Sequence, residues 1–318
     1  MNIRENIQLS SYNWFGTGGP ARYFCEPQSR QDYIESLEFA TEQNVAVFVL
    51  GDGANVLVSD TGFNGLVIHP KNTNIRILEQ NSETRTTTIR AGSGVIMQNL
   101  IDFCLENGLI GLEDFSGIPG TVGGSVYINL HYFEHLLSDF FVRGEVVNTD
   151  SLEVSEKGAE WFGFGYDQSC LHDHNHILVS ADFEVQGVSA EECAYARGRR
   201  DEIIRHRNRR YPESNTCGSF FRNFLPEEVD LSIDGAKMIY VAYYFDKLGI
   251  KGHLQSGGAR VSSKHANMIV TDDSASSQDV IEVTRQMQQR AQDEFGVLPQ
   301  PECQLIGFDE YPLIKSKP

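Results

Sequence analysis

Ser116-Gly117-Ile118-Pro119-Gly120-Thr121-Val122-Gly123-Gly124 is the stretch that decides how this chain is read. Four glycines and a proline in nine residues, set between apolar segments, are not the composition of an ordinary surface turn. Glycine lets a backbone approach a ligand closely and adopt positive φ, and successive amides can then turn inward to cradle an anion. Pro119 fixes one step of the path and Thr121 adds a hydroxyl. Taken alone, the run is equally a Gly/Pro turn with no ligand.

A second loop stands upstream in Leu50-Gly51-Asp52-Gly53-Ala54-Asn55-Val56, with an apolar strand entering over 45–50 and another leaving over 56–58. This strand–loop–strand order differs from the dinucleotide fold in which Gly-x-Gly-x-x-Gly opens a helix. A phosphate here is therefore expected on loop amides and not at a helix N-terminus. Two such loops about seventy residues apart predict one shared ligand, and the reading adopted is a flavin dinucleotide lying along both.

The totals narrow the class. A length of 318 residues accommodates two or three domains, and 40% hydrophobic with 22% charged residues describes a folded globular chain. The net charge of −18 disfavours a general nucleic-acid or anionic-membrane surface. No signal-peptide core and no apolar run of membrane length is present, so a cytoplasmic location is the expectation, with a monomer as default. The six cysteines are scattered without a Cys-x-x-Cys pair, which reads as reduced thiols and no metal site.

Periodicity predicts a helix over 30–43, a hairpin over 75–91, and a helix carrying Met97, Leu100, Ile101, Cys104 and Leu105 that closes at Asn107-Gly108. Strands are expected over 140–148, 152–155 and 177–185. Ser189 and Glu192 form a capping-box pattern ahead of a helix reaching about residue 210, which holds seven arginines. Those arginines read as a solvated face or a local attractor for an acidic ligand ahead of a nucleic-acid surface, given the overall charge. A last helix over 276–295 places Val280, Val283, Met287, Ala291 and Phe295 on one stripe before Gly296. The class is α+β.

Six stretches in order resemble the UDP-N-acetylenolpyruvoylglucosamine reductase (MurB) family. They are the glycine run and the upstream loop, Phe15-Gly16-Thr17-Gly18-Gly19-Pro20-Ala21-Arg22-Tyr23-Phe24, Cys217-Gly218-Ser219-Phe220-Phe221-Arg222-Asn223, residues 257–267, and residues 295–307. The resemblance implies a two-part FAD-binding region of the vanillyl-alcohol-oxidase/PCMH type, over 1–74 and 75–205, and a substrate-binding domain over 206–318. It implies FAD and NADPH as cofactors and reduction of an enolpyruvyl UDP-sugar for peptidoglycan synthesis. Gly51, Asp52, Gly53, Ala54, Asn55, Val56, Gly117, Pro119, Gly120, Thr121, Gly123 and Gly124 fall on cofactor positions. Ser219 falls on the proton donor, Glu302 on the catalytic glutamate, and Tyr166, Arg222 and Asn223 on substrate positions. Lys264 and His265 are further candidates for positive charge, with surface roles equally open.

Two departures stand out. The family's Tyr-Arg-x-Ser is here Tyr166-Asp167-Gln168-Ser169, so an acid replaces the arginine that would stabilise the enolate. Losing one such donor costs about a hundredfold to a thousandfold in rate. Arg143, Arg210 or Arg222 would have to fill its place, or the chemistry differs: another nucleotide sugar, or binding without turnover. The family's Gln-Asn-Ile-Gly-Ala-Tyr-Gly is here Tyr127-Ile128-Asn129-Leu130-His131-Tyr132-Phe133, which implies an altered pocket. Leu171-His172-Asp173-His174-Asn175-His176 reads as a solvated loop ahead of a metal site.

Overall fold

The computed structural model describes residues 1–315, so the last three positions of the expected C-terminal domain lie outside it. The chain forms two compact units. The first comprises Met1–Glu5, Tyr23–Asp52 and Gly65–Arg207, and the second Asn6–Arg22, Gly53–Asn64 and the chain from Asn208 onward.

The first unit is built on an antiparallel sheet in the order Val154–Gly158, Phe141–Asn148, His176–Gly187, Thr86–Gly92, Ile75–Asn81. Leu109–Ile110 adds to the far end of the long strand. Period-2 alternation turns Ile89, Ala91, Ala181, Phe183 and Val185 into one core. Helices α1 (Arg30–Gln43), α2 (Met97–Glu106), α3 (Val122–Tyr127) and α4 (Ala190–Arg210) are the α-helices described for residues 1–210, beside short 3-10 turns. Met97, Leu100, Ile101, Cys104 and Leu105 of α2 are all buried in the sheet's core, as their spacing required. Helix α1 starts on a reciprocal Ser29–Asp32 capping box and ends on Asn44 in the left-handed region, and it buries Tyr33, Leu37 and Ala40. Ser189 and Glu192 cap one another at the head of α4, at 2.9 and 3.2 Å. Buried charge is paired across the sheet: Asp182 accepts from Arg90 and Arg143, and Glu145 accepts from Arg30.

In the second unit, Val56–Val58 pairs in parallel with Gln304–Ile306, in register Val56 to Gln304. A three-stranded antiparallel sheet, Gln255–Ser256, Ala259–Val261 and Ile269–Thr271, shares a core with α5 (Val241–Lys247) and α6 (Ser277–Phe295). Helix α6 is capped by Ser276 and Asp279 and stopped by Gly296 at φ 70°. Its stripe of Val280, Val283, Met287 and Ala291 is fully buried, and Phe295 packs against it. The Asp60 carboxylate accepts from the amides of Ser277 and Gln278, satisfying two donors of the helix's first turn.

These units are not three contiguous segments. Residues 6–22 and 53–64 group with the C-terminal part, because the Val56–Val58 strand finds its partner at 304–306 and Asp60 binds the start of α6.

Candidate active site

The glycine run is pinned at three points. Met97 N donates to Gly120 O at 2.9 Å, Val122 N to Val95 O at 2.8 Å, and Gly123 N to Ser93 O at 2.9 Å. A Cβ on Gly123 would sit 3.0 Å from the Ser93 carbonyl, so only glycine packs there without displacing backbone. The run then enters α3, which composition did not foretell. The Thr121 hydroxyl caps it by accepting from Gly124 N at 3.2 Å.

What the pinning leaves over is a cradle. The amides of Gly120 and Thr121 have no acceptor among the described residues. A Cβ on Gly120 would meet nothing nearer than 3.9 Å, so open space adjoins the main chain. The Ser116 hydroxyl, fully buried, has no hydrogen-bond partner among the described residues. Gly51 lies against this run: a Cβ there would fall 2.7 Å from Oγ1 of Thr121. Leu50 and His69 brace its approach through Leu50 N to Ile68 O at 2.8 Å and His69 Nδ1 to Leu50 O at 2.9 Å. Burial holds the His69 imidazole below its ordinary range, hence neutral at physiological pH. Asp52 follows Gly51 directly, and Pro119 lies between the two positive-φ glycines Gly117 and Gly120.

In the second unit, Gly53 has φ 69°, and a Cβ there would strike the Tyr12 carbonyl. Its own carbonyl accepts from Trp14 N at 3.0 Å. Ala54 follows, and Val56 opens the buried strand. Asn55 is tied to the segment that carries Glu302: its side-chain amide donates to Glu302 O at 3.4 Å, and Gln304 N donates to Asn55 O at 3.1 Å. Asn55 Oδ1 is buried without a hydrogen bond among the described residues. On the glycine run, the free amides of Gly120 and Thr121, the open space beside Gly120 and the orphaned buried Ser116 hydroxyl fit a phosphate-bearing ligand with donors and acceptors of its own.

Ser219 and Glu302 are brought together by one short extended run. Ser219 bridges to Met268 and Phe221 to Pro301, while Glu302 N donates to Phe220 O at 2.9 Å. Asn267 clamps the run from the other side, its Nδ2 donating to Phe221 O at 2.7 Å and its Oδ1 accepting from Phe221 N. With Phe220 and Phe221 buried, the backbone at Ser219 is fixed by packing on both sides.

The remaining candidates fare differently. Arg222 forks the Glu228 carboxylate at 2.7 and 2.8 Å, and that hydrogen-bonded charge holds the carboxyl below its usual range. Asn223 Oδ1 accepts from Val241 N. Lys264 Nζ donates to the carbonyls of Asn208 and Tyr211, so it is largely engaged by backbone. Burial, then the Arg210 charge, pushes His265 down to about 4. Its Nδ1 accepts from Asn267 N at 3.3 Å. Of the arginines weighed as stand-ins, Arg143 is held by Asp182 at 2.7 Å, Arg222 by Glu228, and Arg210 lies over the Tyr211 ring at 5.5 Å.

The α4 arginines are largely answered by the chain itself. Arg197 donates to Leu105 O, Arg199 pairs with Asp114, Arg200 with Asp102 and Arg205 with Glu202. His172 stacks on Tyr127 at 3.9 Å, and among the described residues no group of three or more His, Cys, Asp or Glu is placed to hold a metal. All six cysteines are free. Among the described residues no helix is long and apolar enough to cross a membrane. His131, absent from the sequence-derived candidates, lies with its ring 4.6 Å from that of Tyr166 and its Nδ1 3.3 Å from Asp167. Its only advance signal was its place in the altered 127–133 run.

A family model described as FAD binding domain matches residues 21–154, and one described as UDP-N-acetylenolpyruvoylglucosamine reductase, C-terminal domain, matches 210–306. Curated relatives named UDP-N-acetylenolpyruvoylglucosamine reductase include one from Prochlorococcus marinus, 32% identical over 97% of this chain and 99% of its own length. Another, from Solibacter usitatus, is 30% identical over 96% of this chain and 97% of its own. The crystal structure of the Thermus caldophilus reductase (MurB) superposes with a TM-score of 0.74 at 26% identity, covering 96% of this chain and all of that one. With identity sustained from end to end and both halves matched separately, the chain belongs to the UDP-N-acetylenolpyruvoylglucosamine reductase family.

Proposed function

We propose that the chain reduces the enolpyruvyl ether of UDP-N-acetylglucosamine to UDP-N-acetylmuramate, using FAD and NADPH, in the cytoplasm as part of peptidoglycan precursor synthesis. Residues 1–74 and 75–205 are assigned to the cofactor and 206–318 to the nucleotide sugar. The single observation that carries the chemistry is the joining of Ser219 to Glu302 through Phe220.

The glycine run and residues Gly51 to Val56 would hold the cofactor, the Gly120 and Thr121 amides offering donors to its phosphates and Ser116 and Asn55 offering hydrogen-bonding groups. When bound, the flavin supplies a hydride that NADPH replenishes. Hydride added at the terminal enolpyruvyl carbon leaves negative charge on the neighbouring carboxylate-bearing carbon, and it is this second carbon that must then be protonated. Ser219 donates the proton. A hydroxyl is a weak acid, and it serves here because the carbanionic centre is strongly basic and the backbone fixes the approach. Glu302 orients that carboxylate end by hydrogen bonding. Asn223, Tyr166 and Arg222 contact the nucleotide sugar.

Ser219→Ala tests the assignment. The variant should keep its flavin spectrum and its reduction by NADPH while reoxidation by substrate slows by about a hundredfold or more. Reoxidation at the wild-type rate removes Ser219 from this role.

A further inference from the structure

The extended run that carries Ser219 is held between two segments of its own unit, and the two grips differ in kind. On one side main chain meets main chain. Arg222 N donates to Gln300 O at 3.0 Å, and the amides of Glu302 and Cys303 both donate to Phe220 O, at 2.9 and 3.2 Å. Phe221 stands opposite Pro301 there and turns its own amide and carbonyl the other way, toward Asn267. On that second side Phe220 N donates to Asn267 O at 2.8 Å, and Ser219 bridges to Met268. The next two bonds are made by a side chain: Asn267 Oδ1 accepts from Phe221 N at 3.1 Å, and Asn267 Nδ2 donates to Phe221 O at 2.7 Å.

A carboxamide offers the same acceptor and N–H donor as a peptide group, so the Asn267 side chain does the work of a neighbouring strand. The match is demanding. Phe221 is 1% exposed and Asn267 3%, so a bond lost here leaves a buried polar group without water to replace its partner. Aspartate would keep the acceptor and lose the donor, and glutamine would push the carboxamide out by one methylene. The main chain of Asn267 is steered in turn, its N donating to His265 Nδ1 at 3.3 Å. With its carbonyl and its side chain, this one residue holds both Phe220 and Phe221. Phe220 receives Glu302, and Phe221 lies two residues from Ser219 on one side and two from Asn223 on the other.

We propose that Asn267 is the positioning residue for proton transfer from Ser219, acting not on the substrate but by holding the Phe220–Phe221 backbone that sets the Ser219 hydroxyl in register with Glu302. The proposal rests on the function argued above, in which Ser219 gives the proton. Misplacing a reacting group by about 1 Å costs about a hundredfold in rate, so a bond broken at Phe221 should be felt two residues away.

A double-mutant cycle on the holoenzyme tests this, read as the rate at which NADPH-reduced flavin is reoxidised by enolpyruvyl UDP-N-acetylglucosamine. Asn267→Asp should keep the flavin spectrum and the rate of reduction by NADPH, and slow reoxidation by about tenfold to a hundredfold. Proton transfer then becomes the slow step, so the solvent deuterium isotope effect on reoxidation should exceed that of wild type. In a Ser219→Ala background no hydroxyl is left to position, and Asn267→Asp should slow reoxidation by no more than about threefold further. Asn267→Gln should repeat the pattern and carries the test if the aspartate variant does not hold flavin. Reoxidation at the wild-type rate in the single variants, losses that multiply in full in the double variant, or loss of flavin from both single variants overturns the inference and leaves the proposed function standing. Ser219→Ala at the wild-type rate, or wild type that the substrate does not reoxidise, overturns the function and the inference with it.

Discussion

Replacing Gly51 by alanine probes the contact that joins the two glycine loops of the first unit. The added Cβ would sit 2.7 Å from Thr121 Oγ1, nearer than real Cβ contacts come. Thr121 can give way only by rotating, and its hydroxyl is the N-cap of α3, accepting from Gly124 N. Losing that cap costs about 1 kcal/mol. Holding the rotamer and straining the backbone instead costs about 1–3 kcal/mol. Gly51→Ala should therefore destabilise the protein by about 1–3 kcal/mol and lower the flavin content of the purified protein. Thr121→Ala removes the obstructing oxygen at the expense of the same cap, about 1 kcal/mol. The double variant should then cost about as much as Thr121→Ala alone, a coupling of about 1–3 kcal/mol. Urea denaturation of the four proteins measures the cycle, with visible absorbance reporting bound flavin. Costs that simply add, or Gly51→Ala with wild-type stability and full flavin, would refute the contact.

Other outcomes follow from buried charge. Asp182 is almost fully buried and accepts from Arg90 and Arg143, which keep Glu156 as their remaining acid, so Asp182→Ala should cost about 1–3 kcal/mol in urea denaturation. A loss under about 1 kcal/mol would show the pair to be marginal. His265 is held down to about 4 in the folded protein, against 6.5 for the ordinary side chain. The unfolded chain takes up that proton first, so this term is flat above about pH 6.5 and destabilises by about 3 kcal/mol as pH falls to about 4. His265→Gln keeps an acceptor for Asn267 N and should flatten that part of the stability–pH curve. An unchanged slope would mean that the imidazole titrates normally.

Much of the fold was legible because its signals are local. Ser189 with Glu192 announced the start of α4, and the apolar spacing of α2 and α6 named the faces they bury. The hairpin of Ile75–Asn81 and Thr86–Gly92 followed from β-branched alternation. Helix α3 was not legible, since glycine disfavours helix. It forms because Thr121 caps it and Ser93 and Val95 hold its first turn from outside. The grouping of residues 6–22 and 53–64 with the C-terminal unit depends on Val56–Val58 meeting Gln304–Ile306, a pairing that no local pattern encodes. At the site, glycine positions carried the cofactor loops because close approach forbids a side chain, as Gly53 and Gly123 show. The fork of Arg222 on Glu228 and the meeting of His131 with Asp167 were invisible for the opposite reason. Each depends on side-chain placement that several sequences satisfy equally well.

The most direct measurement is anaerobic. The holoenzyme is reduced to completion with NADPH, mixed with enolpyruvyl UDP-N-acetylglucosamine, and followed at the flavin's visible absorbance. The account predicts that oxidised flavin returns in proportion to substrate added, with UDP-N-acetylmuramate formed mole for mole. Flavin that stays reduced in excess substrate, or protein purified without flavin, would contradict it.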